Sequence, residues 1–345
     1  MALRRDLTFF DVTAIVIGSI VGADIYIASA LTAGLLGPFA VVVWVIAAVF
    51  ATVIALVFAA CSYRVPRVGG PFAFVSAAFD DFYGFLTGWS LWIAEMLALP
   101  VFALAFVQYL EYLVPLDMAG ELAVKAAFLF LLTAVNIVGV KAAGRVNDVL
   151  TVVKLLPILL VVIAGLGFFA LHPGPFLANY TPFLPLGLDA VGPALVLVFW
   201  AYVGFEMGTL PAGEGKDPAT TIPRALVTGM AVVTLFYLST NLVVFGIVPW
   251  QQLAVSTTPL VLVGAALLGG AGGLLMSAGA LVSVSGSDES GILGTSRLAY
   301  AMAIDGLFPR PFARLHIPAS GPPGWRLPSR PRWHSRSPAS PLSAP

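Results

Sequence analysis

Apolar residues run through most of this 345-residue chain in stretches far longer than a soluble core uses. A helix that crosses a bilayer needs about 20 mostly apolar residues. Eight stretches reach that length: 9–35, 38–62, 83–114, 122–140, 147–171, 188–210, 223–248 and 259–285. The breaks between them carry turn chemistry: Gly37-Pro38, Val65-Pro66 through Gly69-Gly70-Pro71, Pro115, His172-Pro173-Gly174-Pro175, Pro249 and Pro259. Proline lacks the N–H that a helix interior needs, and glycine costs a helix conformational entropy, so both punctuate it. The pattern predicts an all-α integral membrane protein embedded in the lipid bilayer.

Composition agrees. The chain is 59% apolar and 10% charged, where a soluble domain averages roughly 45–50% and about 25%. Seventeen basic and seventeen acidic residues cancel, so their placement carries the information. With the N-terminus in the cytoplasm, Arg4, Arg5, Arg64, Arg67, Lys141, Arg145, Lys216, Arg224, Arg297, Arg310 and Arg314 fall on cytoplasmic segments. The opposite loops, near 115–121, 172–187 and 249–258, hold no Lys or Arg. This asymmetry supports eight crossings and a multi-pass protein of the cell membrane, because one miscounted span would scramble the alternation. Nothing resembles a basic nucleic-acid face, so no nucleic-acid partner is expected. A lone Cys61 excludes an internal disulfide and any multi-cysteine metal site. Ala28-Ser29-Ala30 has a cleavage-like pattern, but Asp24 interrupts the apolar run before it, so a cleaved leader is not expected. From 317 to 345 the chain turns Pro, Ser and Arg rich and reads as a disordered tail.

Two apolar runs are interrupted in a way packing alone does not require. Span one contains Gly18-Ser19-Ile20-Val21-Gly22-Ala23-Asp24, two glycines and a charge deep in the stretch. Unwinding there would free backbone groups that lipid cannot satisfy, so it would need a cavity or neighbouring protein. The half-helix that follows would present N–H groups and a positive dipole end, a receptor for a carboxylate. The alternative is that these glycines only let helices approach closely. Span six contains Phe199-Trp200-Ala201-Tyr202-Val203-Gly204-Phe205-Glu206. Paired interruptions in two halves of a chain point to a transporter site; a packing stripe explains the aromatics but not Glu206. Lys125 sits near the end of span four, where it can snorkel. Lys154 sits about two turns into span five, where a cation needs a cavity or a partner.

These residues resemble those of the amino acid–polyamine–organocation (APC) superfamily of permeases, over roughly 6–316. Gly18 to Tyr26 is similar to the family's glycine-rich stretch in its first helix. Pro66-Arg67-Val68-Gly69-Gly70-Pro71 with Gly84-Phe85-Leu86-Thr87-Gly88-Trp89 is the most specific match. Asn136 to Lys141, Val203 to Glu206 with Ile222-Pro223-Arg224-Ala225, and Ser296 to Ala303 with Asp305-Gly306-Leu307-Phe308-Pro309 complete it, all in the family's order. The resemblance implies a LeuT-type inverted-repeat transporter fold and the uptake or exchange of amino acids, with protons as a coupling partner. It divides the chain into a first repeat at 1–171, a partial second repeat at 172–316, and the tail.

In that picture the amides of Ser19, Ile20, Val21, Gly22 and Ala23 hold the substrate carboxylate, and Gly18 and Asp24 flank them in the substrate-binding stretch. Carbonyls of Phe199, Trp200 and Ala201 receive its ammonium, and Trp200, Tyr202 and Gly204 shape the pocket. Lys154 matches a fifth-helix lysine of proton-dependent members; it is either the proton-coupling group or a fixed cation donating to span-one carbonyls. Asp24 stands where the family usually has glycine. It pairs with a cationic substrate group, pairs with Lys154, or faces the outer vestibule. Glu206 is expected to steady the broken helix, Glu95 is a further intramembrane acid without an assigned role, and Ser283 and Ser285 belong near Lys154. Gly269 and Gly273 suggest close helix packing in span eight. Family members usually have twelve spans, so eight imply truncation or a frame shift near His316-Ile317, and with it a chain that is unstable or inactive alone, a non-transporting fragment of a permease.

An enzyme is not expected, and neither is a cofactor or metal. An aspartyl protease needs a second intramembrane aspartate, and Asp80, Asp81 and Asp148 fall in loops or helix ends. His172, His316 and His334 all lie outside the spans. A channel would show fluxes that do not saturate, and a scaffold no substrate protection.

Overall fold

Long apolar stretches become long helices. The computed structural model describes residues 7–138, 140–210, 212 and 216–313. Expectations for Arg4, Arg5, Arg314, the His316-Ile317 junction and the 317–345 tail fall outside these residues, as do those for the side chains of Lys141, Arg145 and Asp148. The helices in chain order are α1 (Phe9–Ile20), α2 (Asp24–Leu36), α3 (Ala40–Arg64), α4 (Pro71–Ala78), α5 (Asp81–Glu111), α6 (Met118–Val138), α7 (Val140–Leu171), α8 (Pro173–Ala178), α9 (Val191–Tyr202), α10 (Pro218–Ile247), α11 (Trp250–Ala254) and α12 (Pro259–Ile304). Among the described residues there is no strand.

Local chemistry sets several of the starts. Thr8 and Asp11 form a reciprocal capping box before α1. Asp80 accepts from the amides of Phe82 and Tyr83 before α5. Pro71, Pro173, Pro218 and Pro259 occupy first-turn positions, where a missing N–H is harmless.

Among the described residues seven helical stretches are apolar and long enough to cross a membrane. The first, Phe9–Arg64, is 56 residues long. At 1.5 Å per residue that is ~84 Å of helix, two crossings rather than one. The turn at Gly37–Phe39 separates them, giving the eight crossings that the hydropathy pattern predicts. Contacts place the connecting segments on two opposite faces. On one face the Lys216 amide donates to the Leu7 carbonyl, the Gly69 amide donates to the Leu210 carbonyl, and Arg67 lies near Asp305. Burial raises the Asp305 carboxyl above its ordinary range, against the pull of the Arg67 charge. On the other face Phe39 packs on Phe183, and Asn179 and Tyr180 donate to the carbonyls of Gly246 and Leu242.

Two boundaries differ from the pattern. Helix α7 begins at Val140 rather than 147, because the polar segment after span four still contains good helix formers. The apolar run at 259–285 is not one span. Backbone at Gly269 takes φ 68°, ψ −159°, and α12 divides there into arms 259–268 and 270–304. A straight helix would separate Gly264 from Gly272 by ~12 Å. Instead a Cβ on Gly264 would stand 2.6 Å from the Gly272 carbonyl oxygen, so the arms fold back on each other as a hairpin. The first arm is too short to cross, and span eight is the second arm. Hydropathy could not mark this turn, because both arms are apolar.

The expected break in span one is present. Val21, Gly22 and Ala23 leave the helix between α1 and α2, with Val21 extended at ψ 93°. Span six breaks after Tyr202: Val203 is extended, Gly204 takes φ 123°, and a 3-10 turn follows at Phe205–Thr209. Helix α1 packs against α7, α10, α12 and that 3-10 turn, which puts the two breaks side by side.

Candidate functional site

The breaks meet backbone to backbone. A Cβ on Gly204 would stand 2.9 Å from both the carbonyl carbon and oxygen of Ser19, and 3.0 Å from the Ile20 nitrogen. No other residue fits there: the contact needs a bare α-carbon and the φ needs glycine.

Carbonyls released by the break in span one are met by side chains from three other helices. Lys154 Nζ on α7 donates to the Gly18 carbonyl at 2.6 Å. Ser287 Oγ on α12 reaches the carbonyls of Gly18 and Ser19 at 3.2 and 3.0 Å. Tyr237 OH on α10 donates to the Ile20 carbonyl at 2.9 Å, and Ser283 Oγ lies 3.3 Å from the carbonyls of Val21 and Gly22. All of these acceptors but the part-buried Ser19 carbonyl are buried, and a buried carbonyl without a donor costs about 1–3 kcal/mol. This shell holds the unwound backbone open instead of letting it collapse into helix. At α2, by contrast, no side chain of the N-cap residue Ala23 caps the start, and the Tyr26 amide turns back to the Ala23 carbonyl at 3.0 Å.

On the span-six side, Glu206 Oε2 accepts from the Gly204 amide at 3.0 Å, and Thr209 Oγ1 donates to the Glu206 carbonyl at 2.6 Å. The carboxylate thereby fixes the glycine conformation that the contact with Ser19 requires. Glu206→Gln keeps an acceptor oxygen and is expected to stay near the parent stability. Glu206→Ala leaves the Gly204 amide without its acceptor and is expected to cost about 1–3 kcal/mol. Thermal midpoints of the purified proteins in detergent check both.

A small cavity opens where the two breaks face α5 and α12. Of the residues the sequence pointed to, Ser19, Asp24, Glu95, Trp200 and Gly204 line it. Ala98, Phe102, Val203, Met207, Ser287 and Gly291 complete the lining; the sequence analysis did not single them out for it. Periodicity on α5 places Ala98 and Phe102 on one stripe with Glu95, three and seven residues on, and that spacing was the available signal.

Gly18, Ile20, Val21, Gly22, Ala23, Phe199 and Ala201 do not line the cavity; the first four instead offer their carbonyls to the surrounding shell. Tyr202 points elsewhere. Its ring is fully buried against Trp44 and Tyr237, with centroids 5.9 and 5.2 Å away, so it braces the bundle rather than shaping the cavity. Lys154 is fully buried and lies behind the span-one break, not in the cavity wall. Asp24 lines the cavity at 4% exposure, and its Oδ1 has no hydrogen-bond partner. No ion pair within 4.0 Å joins it to Lys154, whereas Lys125 does pair with Glu121 at 2.7 Å.

Ser283 reaches the break, but Ser285 donates to its own helix at Leu281. The polar 286–290 segment, beyond the apolar run at 259–285, continues as helix with Asp288 and Glu289 buried, and Asn136 donates to Glu289 at 2.8 Å. Among the described residues no group of three or more His, Cys, Asp or Glu side chains is arranged to hold a metal ion.

Two broken spans that meet at a cavity, within a helical bundle long enough to cross a bilayer eight times, define a broken-helix membrane transporter. The chain belongs to the amino acid permease family, whose sequence profile matches residues 7–324. It is 28% identical to the methylthioribose transporter of Bacillus subtilis, across 96% of this chain and 73% of that protein. It is 30% identical to the branched-chain amino acid permease BcaP of Bacillus subtilis, across 91% and 70%. It is 27% identical to human cationic amino acid transporter 4, across 93% of this chain and 53% of that one.

Proposed function

We propose that this chain is a secondary transporter that carries amino acids across the cell membrane, with its N-terminus in the cytoplasm. The observation that carries the reading is the approach of Gly204 to Ser19, which sets two broken helices around one cavity. An amino acid has an anionic and a cationic end close together. The first-turn amides of α2 suit the carboxylate, and the carbonyl end of α9, near Trp200, suits the ammonium. Both contacts are charge-assisted hydrogen bonds, and both need backbone that a continuous helix would keep for itself.

Two repeats, 1–171 and 172–316, rocking against each other would expose this cavity to each side in turn. Lys154 is the proposed proton carrier. Its bond to Gly18 ties its charge state to the shape of the span-one break, so gain or loss of a proton would shift the break and the substrate site together. The reading is supported by family membership and by the absence of any other donor on α7 that reaches Gly18 among the described residues.

The test is uptake by the purified chain in sealed proteoliposomes. Saturable entry of a labelled amino acid, raised by an inward proton gradient, is the expected result. Entry that rises linearly with concentration would identify a channel, and no entry with any of the twenty amino acids would overturn the assignment.

A further inference from the structure

The cavity is acidic beyond what a zwitterion needs. Asp24 on α2 and Glu95 on α5 both line it, and no Lys or Arg does. Glu206 and Asp288 lie near Glu95 as well. Lys154 donates to the Gly18 carbonyl and acts on Asp24 only through space, with no ion pair within 4.0 Å between them. Asp24 is buried, at 4% exposure, and its Oδ1 accepts no hydrogen bond from the protein. Glu95 is held on the facing wall, where a Cβ on Gly291 would stand 3.5 Å from its Oε2.

A neutral amino acid brings one positive and one negative charge. It gains nothing from the net field of such a cavity, and its carboxylate at the start of α2 would lie beside that of Asp24. A substrate with an additional cationic group gains from both acids and supplies the N–H donor that Asp24 Oδ1 lacks. We propose that the substrate carries a net positive charge, with a side-chain ammonium or guanidinium held between Asp24 and Glu95. This rests on the transport reading above. The named relatives differ in the substrates their names give, so they do not choose among them.

The experiment measures binding and uptake separately on the full-length chain. Binding is read by displacement of labelled arginine in detergent, and uptake in proteoliposomes. Competitors are lysine and ornithine (cationic), leucine and glutamine (neutral), and agmatine and putrescine (cationic without a carboxylate). Cationic amino acids are expected to displace at concentrations at least about tenfold below the neutral ones, the factor a charge-assisted hydrogen bond supplies. Asp24→Asn and Glu95→Gln keep size and hydrogen-bonding shape. Each is expected to shrink the cationic-to-neutral ratio about tenfold. Displacement by agmatine or putrescine as well as by lysine would show that the acids alone define the ligand; displacement by lysine only would show that the α2 amides also bind a carboxylate. Both results uphold the proposal. Binding without uptake would uphold it while removing the transport reading. A site that takes leucine as readily as lysine, or a ratio unchanged in both variants, would overturn it even if transport is robust.

Discussion

Replacing Lys154 with methionine is expected to cut uptake about 10- to 100-fold and to remove its dependence on a proton gradient. Methionine preserves the length and most of the volume of the side chain but cannot donate. The Gly18 carbonyl would lose its 2.6 Å charged donor and keep only Ser287 at 3.2 Å. A hydrogen bond from a charged donor is worth about 1.5–3 kcal/mol, which sets the expected factor. That loss alone does not separate a proton carrier from a fixed structural cation. Lys154→Arg does. Arginine keeps a positive donor but does not release its proton in proteins. If Lys154 carries the proton, Lys154→Arg binds substrate yet fails to accumulate it under a proton gradient. If Lys154 only braces the break, Lys154→Arg accumulates substrate with the pH dependence of the parent.

The second large effect is expected at Gly204. Gly204→Ala forces a methyl group to within 2.9 Å of the Ser19 backbone and holds a non-glycine residue at φ 123°. Backbone strain of that kind costs about 1–3 kcal/mol, and overpacking where the opposing atoms are backbone adds about 1–3 kcal/mol. The breaks can relieve this only by moving apart, which dismantles the cavity between them. Uptake is expected to vanish and the thermal midpoint to fall. Gly34→Ala is the contrasting case. Gly34 is helical within α2, and its added Cβ would meet the Ala254 methyl at an ordinary 3.7 Å. Helix propensity then favours alanine by up to about 1 kcal/mol, so this variant should match or exceed the parent midpoint. Equal behaviour of the two variants would mean that the approach of Gly204 to Ser19 is not a structural constraint.

The residues that stood out in the sequence were those whose chemistry conflicts with their surroundings. Glycine and aspartate inside an apolar run marked the break at 21–23, and Gly204 beside Glu206 marked the other. Lys154 was conspicuous because a cation in a span must find an acceptor, and it did, at Gly18. Where residues matched their surroundings, the pattern was silent. The fold-back at Gly269 lies in a run where both arms are apolar, so hydropathy registers one continuous span. Ser287, Asp288 and Glu289 lie beyond the apolar run at 259–285, yet Ser287 is helical and spends its hydroxyl on the span-one break. Tyr202 is the last residue of α9, and sequence cannot tell which way such a side chain turns. Its ring joins Trp44 and Tyr237 because that side of α9 faces α3.

The central claim is that the cavity between the two breaks holds the transported molecule. Ala98 lines that cavity, and Cys61 is the chain's one cysteine, so Ala98→Cys combined with Cys61→Ser puts a single thiol in the wall. The direct measurement is the rate at which a small thiol reagent labels position 98, with and without saturating substrate. Substrate is predicted to slow labelling in protein that still transports. An unchanged labelling rate in transporting protein would place the substrate elsewhere and contradict the account.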